Sequence, residues 1–322
     1  MSVLSAKYFH DEEAAFEHVE SIIWDNNPIC PHCGGVERIY ALKNVRTKPS
    51  KKNPEGVVRH GLKKCGQCRK QFTVRIGTIF EESHLPLHKW LQAIYLMVSS
   101  KKGISAHQLH RVLEVQYKTA WFLAHRIREA MRSGELAPLG GSGKTVEADE
   151  TYFGDKEVVT KRTKRGKSGL ASKRAVVALV ERGGNVRSFH VDRATKTNVS
   201  QIVAANVHNE TVLNTDESRL YTQIGTEFAR HDKVNHSVNE YVQGEAYTNT
   251  VEGVFSIFKR GMKGVYQHCS EKHLHRYLAE FDFRYNNRVK LGVDDKERAK
   301  NALLGVVGKR LTYQGPDSQK AT

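Results

Sequence analysis

The sequence lacks any long apolar run. No stretch approaches the roughly 18 consecutive apolar residues that would span a bilayer, which argues against a membrane-embedded chain. The opening, MSVLSAKYFHDEEAAFEHVE, lacks the charged-then-apolar order of a secretion signal, so a soluble, cytoplasmic protein is expected. Cysteine is scarce: five in 322 residues are too few and too clustered for a disulfide scaffold. Acid is also short, with 35 Asp+Glu against 51 Lys+Arg and a net charge of +16. Such an excess calls for a polyanion, because basic side chains bind nucleic acid by neutralising phosphates and releasing counterions. The 39% hydrophobic content still suffices for real cores, and the length suggests two or three domains.

Four of the cysteines form two knuckles. Cys30-Pro31-His32-Cys33 and Cys65-Gly66-Gln67-Cys68 each present two thiolates on a tight turn, with 31 residues between them. The pattern reads as a four-cysteine structural Zn2+ ribbon. Within the long gap, residues 49–56 look like a turn-rich insertion on a ribbon hairpin. Residues 72–76 are expected to supply an apolar closing strand. His32 is read as a neighbour or solvent residue and not as a ligand, and Cys269 as structural.

Leu87, Trp90, Leu91, Ile94 and Val98 recur at helical spacing. Ser105 to Gln108 forms a capping-box pattern that opens a second helix carrying Leu109, Val112 and Leu113. After a break at 114–116, a third helix buries Ala120, Trp121, Ala124, Ile127 and Met131 and leaves Lys118, Thr119, Arg126 and Arg128 polar. Helix, tight turn and basic helix suggest a helix-turn-helix with Lys118 and Arg126 facing DNA; a purely structural three-helix bundle is the alternative. The linker at 138–143 ends in Gly143-Lys144-Thr145. It is no phosphate loop, since Pro138 stands where the first glycine of GxxxxGK[ST] belongs. It reads as a hinge.

Strands are then expected at 145–152, 174–182 and 186–192, a helix at 198–208 and a fourth strand at 211–215. That order matches an RNase H-like core. Asp149 lies mid-way along the first strand, with alternation placing Glu147, Asp149 and Thr151 on one face. Asp216 follows the apolar end of the fourth strand, the neighbour of the first in such a core. Glu252, at the start of a later helix, comes after 35 intervening residues, and Lys259 lies seven further on, two turns along the same face. Three such carboxylates suit a pair of divalent ions, Mg2+ or Mn2+, for in-line displacement at phosphorus. Other assignments remain open: Asn249 and Glu252 also form a helix-capping arrangement, and Glu147 or Glu150 could take the place of Asp149.

An aspartate on a first strand, a second on a fourth, a glutamate 35 residues later and a lysine at +7 resemble the D-D-35-E signature of DDE transposases and retroviral-type integrases. The words VEADETYFG (146–154), VNHS (234–237), TNTVEG (248–253) and RYLAEF (276–281) narrow this further. They resemble the IS1595 (ISXO2-like) family of bacterial insertion-sequence transposases, which also carries an N-terminal zinc ribbon. The resemblance implies a transposase that nicks element ends and joins the exposed 3′-OH to target DNA. Double-stranded DNA, as terminal repeats and as target, is its implied partner, and a homodimer or larger synaptic assembly its working form. Some members replace the third acid by Asn or His, so the choice between Glu252 and Asn249 stays open.

Basic residues sit around this acidic set. Lys161, Arg162, Lys164, Arg165 and Lys167 belong to a run expected to clamp DNA beside the first catalytic strand. Lys259, Arg260 and Lys263 extend that surface, and Asn249 and His236 are candidates for supporting contacts. The resulting division is α+β or α/β and multidomain: a zinc ribbon with its N-terminal helix (1–82), a helix-turn-helix-like module (83–135), a linker (136–144), an RNase H-like catalytic domain (145–290) and a tail (291–322). A non-catalytic DNA-binding regulator, or a structure-specific nuclease on the same core, are the alternatives of another class.

Overall fold

The computed structural model describes residues 2–51, 53–134, 136–155, 173–221, 224–234 and 247–312. The chain divides into two compact units. One holds Met1–Ser100, Ile104–Met131 and Asp294–Thr322; the other holds Lys101–Gly103 and Arg132–Val293.

The first unit begins with α1 (Glu12–Trp24), whose N-cap Asp11 accepts from the Ala14 amide. An antiparallel sheet follows in the order β1 (Ile39–Ala41), β2 (Lys63–Cys65), β3 (Gln71–Phe72). The expected closing strand is shorter than its apolar residues suggest. After Phe72 the chain turns, with Thr73 Oγ1 accepting from the Arg75 amide, while the Arg75 guanidinium donates to the carbonyls of Ser83 and Leu85. Val74, Ile79 and Phe80 are therefore buried from turns and not from a strand.

Helices α2 (Leu87–Ser99), α3 (Ala106–Leu113) and α4 (Tyr117–Ala130) complete the module. Ser105 caps α3 by accepting from the Gln108 amide, and Glu114 at φ 53° turns the chain into α4. The polar face expected on α4 holds only in part. Lys118 and Thr119 are exposed, but Arg126 and Arg128 are buried. Arg126 donates to the Glu81 carbonyl and lies over the rings of Trp90 and Phe122, which an arginine stem can do where an aromatic wall and a free carbonyl coincide. Helix α8 (Asp295–Leu304), capped by Asp294, packs on α2 within this unit, with Arg298 donating to the Val98 carbonyl.

The second unit is built on a five-stranded sheet of RNase H-like order: β6 (Val186–Val191), β5 (Lys173–Glu181), β4 (Thr145–Asp155), β7 (Val212–Asp216), β8 (Arg230–Val234). Strands β6, β5 and β4 are antiparallel neighbours, whereas β4, β7 and β8 run parallel. Central β5 is buried from Arg174 to Val180, as its run of Val and Ala requires. One face packs Val177 and Leu179 against α5 (Lys196–Asn206) through Val199 and Val203. The other packs Val176, Ala178 and Val180 against α6 (Asn249–Gly261) and α7 (Leu274–Asn286).

Edge strand β8 has no sequence signature, because Arg230, Asp232 and Lys233 are the charged side chains that edges tolerate and His231 between them is polar. The opposite edge is covered differently. Asp282 and Asn286 of α7 accept from the amides of Ser188 and Val186, so side chains satisfy the outward donors of β6. The glycine-rich stretch read as a hinge is tied to this unit: Leu139 bridges Val207, and the amides of Gly140 and Gly141 donate to Glu181 and to Thr211 Oγ1.

Candidate functional site

Two clusters of metal-ligating side chains occur among the described residues. In the first unit the four thiols converge from both knuckles. Cys30 Sγ lies 3.7 Å from Cys68 Sγ, and Cys33 Sγ lies 3.7 Å from Cys65 Sγ. Four sulfurs at a Zn–S length of about 2.3 Å in a tetrahedron stand about 3.8 Å apart, so the donor set fits a zinc ion. The knuckles are shaped by their backbones. Gly34 at φ 70° and Arg69 at φ 61° each follow a second cysteine. The Cys65 thiol is pulled down to about 7, first by the Cys68 amide and then by that of Gln67, while burial works against them. His32 is exposed beside this cluster.

In the second unit the sheet register assembles the acids. Thr215 of β7 pairs with Ala148 of β4 in parallel, so the next residues, Asp216 and Asp149, end side by side. Carboxylate oxygens of Asp149, Glu150 and Asp216 lie within 4.8 Å of one another. Burial, then the charges of Asp216 and Glu150, push Asp149 up to about 8 even though it accepts from the Glu150 amide. Glu150 is raised in the same way, by burial first and Asp216 second, and it also accepts a 3.0 Å hydrogen bond from the Tyr221 hydroxyl. Asp216 accepts from the Ser218 amide at 3.0 Å. An oxygen-only, half-buried, mutually repelling set of this kind fits a hard divalent cation, which would relieve the crowding.

Glu252 is placed differently. It is exposed in the first turn of α6, lies outside the tight group of three, and borders a cavity of about 720 Å3 that Asp149 and Glu150 also line. Phe255, Lys259, Arg260 and Lys263 border it too. The heptad spacing of Glu252 and Lys259 thus brings an acid and a cation to one wall. Lys259 is half-buried, and Arg260 and Lys263 are exposed.

Asn249 is not the cap of α6. The N-cap is Thr248, which makes no side-chain cap hydrogen bond, and Asn249 is exposed. The capping is tertiary: Glu147, fully buried on β4, accepts from the amides of Thr250 and Val251 and from Thr250 Oγ1. The Arg182 guanidinium pairs with Glu147 at 2.7 Å, donates to the Tyr247 carbonyl and lies 3.4 Å from the Tyr247 ring centroid. Glu147 therefore anchors the helix and does not substitute for Asp149.

Lys118 is exposed at the start of α4, whereas the guanidinium of Arg126 is turned inward and engaged there, which removes it from the DNA-facing set. Lys161, Arg162, Lys164, Arg165, Lys167 and His236 lie outside the described residues. Glu150 and Tyr221 enter the site more centrally than the sequence indicated.

Comparison with known proteins falls on the same two regions. Residues 138–286 match the ISXO2-like transposase domain, and residues 10–71 match the transposase zinc-ribbon domain of the same family. A protein of the transposable element ISH50 from Halobacterium salinarum is 26% identical over 300 residues, covering 88% of this chain and 93% of its own length. A chain in the simian T-cell lymphotropic virus intasome, solved with the PP2A regulatory subunit B56 gamma, aligns at 16% identity and a TM-score of 0.29 over 54% of this chain and 67% of its own.

Proposed function

We propose that this chain, which belongs to the IS1595 (ISXO2-like) family of insertion-sequence transposases, cuts the ends of its element and joins them to target DNA. The observation that carries this reading is the parallel pairing that sets Asp149 beside Asp216 on β4 and β7. Asp149, Asp216 and Glu252, with Glu150 beside them, would hold two Mg2+ or Mn2+ ions. Bound there, such ions supply nucleophile activation and charge stabilisation for in-line displacement at phosphorus.

The chain's own groups do the remaining work. Lys259 reaches the cavity from the same helix face as Glu252 and offers its ammonium to a non-bridging oxygen of the scissile phosphate. Arg260 and Lys263 hold the next phosphates of that strand, and Lys118 and the 161–167 cluster are further DNA contacts. In the first step a water oxygen bonds to phosphorus and the bond to the element's 3′-oxygen breaks, leaving a 3′-OH. In the second that oxygen bonds to a target phosphorus and the target's own 3′-oxygen leaves.

Strand transfer on oligonucleotides carrying the element's ends tests this. Asp149→Ala and Asp216→Ala are expected to abolish product while duplex binding persists, and Lys259→Ala to slow it about 10²–10³-fold. Full activity in either aspartate variant overturns the assignment. Two ends are cut and joined together, so the working form is a dimer or larger assembly acting on DNA in the cytoplasm. Among the described residues no helix is long and apolar enough to cross a membrane.

A further inference from the structure

Successive residues of β4 alternate between the two faces of the sheet, and the register with β5 says which face each takes. Asp149 pairs with Ala178, which packs toward α6, whereas Glu150 pairs with Val177, which packs toward α5. Along β7, Leu213 packs toward α5, so alternation turns Asp216 to the α6 side together with Asp149. Glu150 belongs by the same rule to the α5 side. Its carboxylate nevertheless lies within 4.8 Å of those of Asp149 and Asp216, and it borders the cavity that α6 lines. The pairing of β4 with β7 ends at Ala148 and Thr215, so a side chain from the α5 side can pass the end of β7 and join the acids of the other face.

The residues just beyond β7 hold it there. The Ser218 amide donates to Asp216 Oδ1 at 3.0 Å, and the Tyr221 hydroxyl donates to Glu150 at 3.0 Å. Tyr221 is fully buried, its ring in the α5-side core with Val146, Ala148 and Leu213. Phenylalanine would fill the same volume, so the hydroxyl is the part of Tyr221 that packing does not require. A buried phenol needs an acceptor, and here the acceptor is an acid at the rim of the cluster. Burial first and Asp216 second disfavour the ionised form of Glu150, while hydrogen bonding by the Tyr221 and Ser218 side chains favours it. Burial also keeps the Tyr221 hydroxyl protonated, so it donates and the carboxylate accepts.

We propose that Tyr221 is a positioning residue of the cation site: its hydroxyl fixes Glu150 beside Asp149 and Asp216, and Glu150 is a cation ligand brought from the opposite face of the sheet. The proposal deepens the transposase reading, resting on its divalent-cation site but on neither Glu252 nor Lys259. A carboxylate already held in place does not have to be ordered when the cation binds. One short segment thus sets two of the acids, Asp216 through the Ser218 amide and Glu150 through Tyr221.

The test is Mn2+ binding by the full, zinc-loaded chain without DNA, measured by titration calorimetry. Tyr221→Phe, which keeps the ring, is expected to weaken Mn2+ binding about tenfold, and Glu150→Gln to weaken it further. Because Tyr221 acts through Glu150, adding Tyr221→Phe to Glu150→Gln should cost nothing more. Ser218→Ala, at a half-buried turn position, should give a smaller loss than Tyr221→Phe without touching the core. Unchanged Mn2+ affinity in Glu150→Gln or in Tyr221→Phe overturns the proposal. So does an equal loss from Tyr221→Phe with and without the Glu150 carboxylate, which marks a role in the fold alone. If Tyr221→Phe does not fold, unchanged affinity in Ser218→Ala decides against the proposal in its place. The two readings fail separately: a wild-type chain that binds Mn2+ through this network yet never transfers strands defeats the transposase reading, and a strand-transferring chain whose Tyr221→Phe variant keeps its Mn2+ affinity defeats this one.

Discussion

The two metal-ligating clusters sit in unlike structural settings. In the ribbon, sulfur pairs already stand 3.7 Å apart, with the Cys68 and Gln67 amides drawing Cys65 down to about 7 while Cys33, despite the Gly35 amide, is pushed up to about 11 by burial and the neighbouring thiols. In the second unit, carboxylates are pressed together by the β4–β7 register until Asp149 resists ionisation. The first cluster is part of the scaffold. Its surroundings are small, with Cys30, Cys65 and Phe72 as the buried members, so the metal has to supply much of the folding energy. The second sits on a sheet with extensive apolar packing on both faces, where each buried Val or Leu contributes about 1.5–3 kcal/mol. That packing involves no ion, so the sheet is expected to hold its crowded acids together without one.

The sharpest way to break this contrast is to remove each metal in turn. Structural zinc in small ribbons and fingers is bound with about 10–16 kcal/mol. Chelation of zinc, or Cys65→Ser, should therefore unfold the ribbon segment and make it the first site of proteolysis. Withdrawal of Mg2+ should leave the second unit's protease resistance unchanged. Equal sensitivity of the two units in limited proteolysis with mass-spectrometric mapping overturns the distinction.

A smaller effect separates acids that build from acids that react. Glu147 is fully buried against Arg182 and the first amides of α6, so Glu147→Ala strands a buried guanidinium and uncaps the helix. About 3–5 kcal/mol of stability should be lost in urea unfolding. Glu252→Ala, on the exposed side of the same helix turn, should stay within about 0.5 kcal/mol of wild type while depressing strand transfer. The same device recurs in the first unit: Glu12 accepts from the amides of Leu87 and His88 at the start of α2 and pairs with Arg75. In both places a distant carboxylate replaces the local cap.

That recurrence explains what could be read from the sequence and what could not. The zinc knuckles are local words, and their geometry follows from spacing within each pair. The Asp149–Asp216 contact was legible because strand order fixes which strands touch. Helix caps supplied from far along the chain leave no local pattern, so Asn249 and Glu252 looked like an ordinary capping box. Arg126 read as a surface cation because helical periodicity cannot tell an exposed arginine from one folded back onto Trp90. Edge strand β8, polar up to its last residue Val234, was invisible for a related reason: its place in the sheet comes from pairing with β7 and not from an alternating pattern.

The finest comparison is between two aspartates that burial raises alike. Asp149 is held near 8 by burial and neighbouring acids; Asp282 is held near 6 by burial, opposed by hydrogen bonds from the Ser188 amide and hydroxyl. Both folded values lie above the unfolded value of about 4. The stability each neutral carboxyl contributes is therefore complete below pH 4 and is lost as pH rises, through about 8 for Asp149 and about 6 for Asp282. Asp149→Asn should accordingly stabilise the Mg2+-free protein at pH 8 by a few kcal/mol, on the order set by the shift. Asp282→Asn should remove only the smaller slope between pH 4 and 6. Mg2+ ought to separate the two: it favours the ionised form where Asp216 and Glu150 can share the cation, and does nothing for a carboxylate tied to Ser188. Urea-unfolding free energies measured against pH, with and without Mg2+, should therefore show the Asp149 slope vanish and the Asp282 slope persist. A common response of both slopes to Mg2+ would mean that bulk screening, and not a bound ion, relieves the crowding at the end of β4.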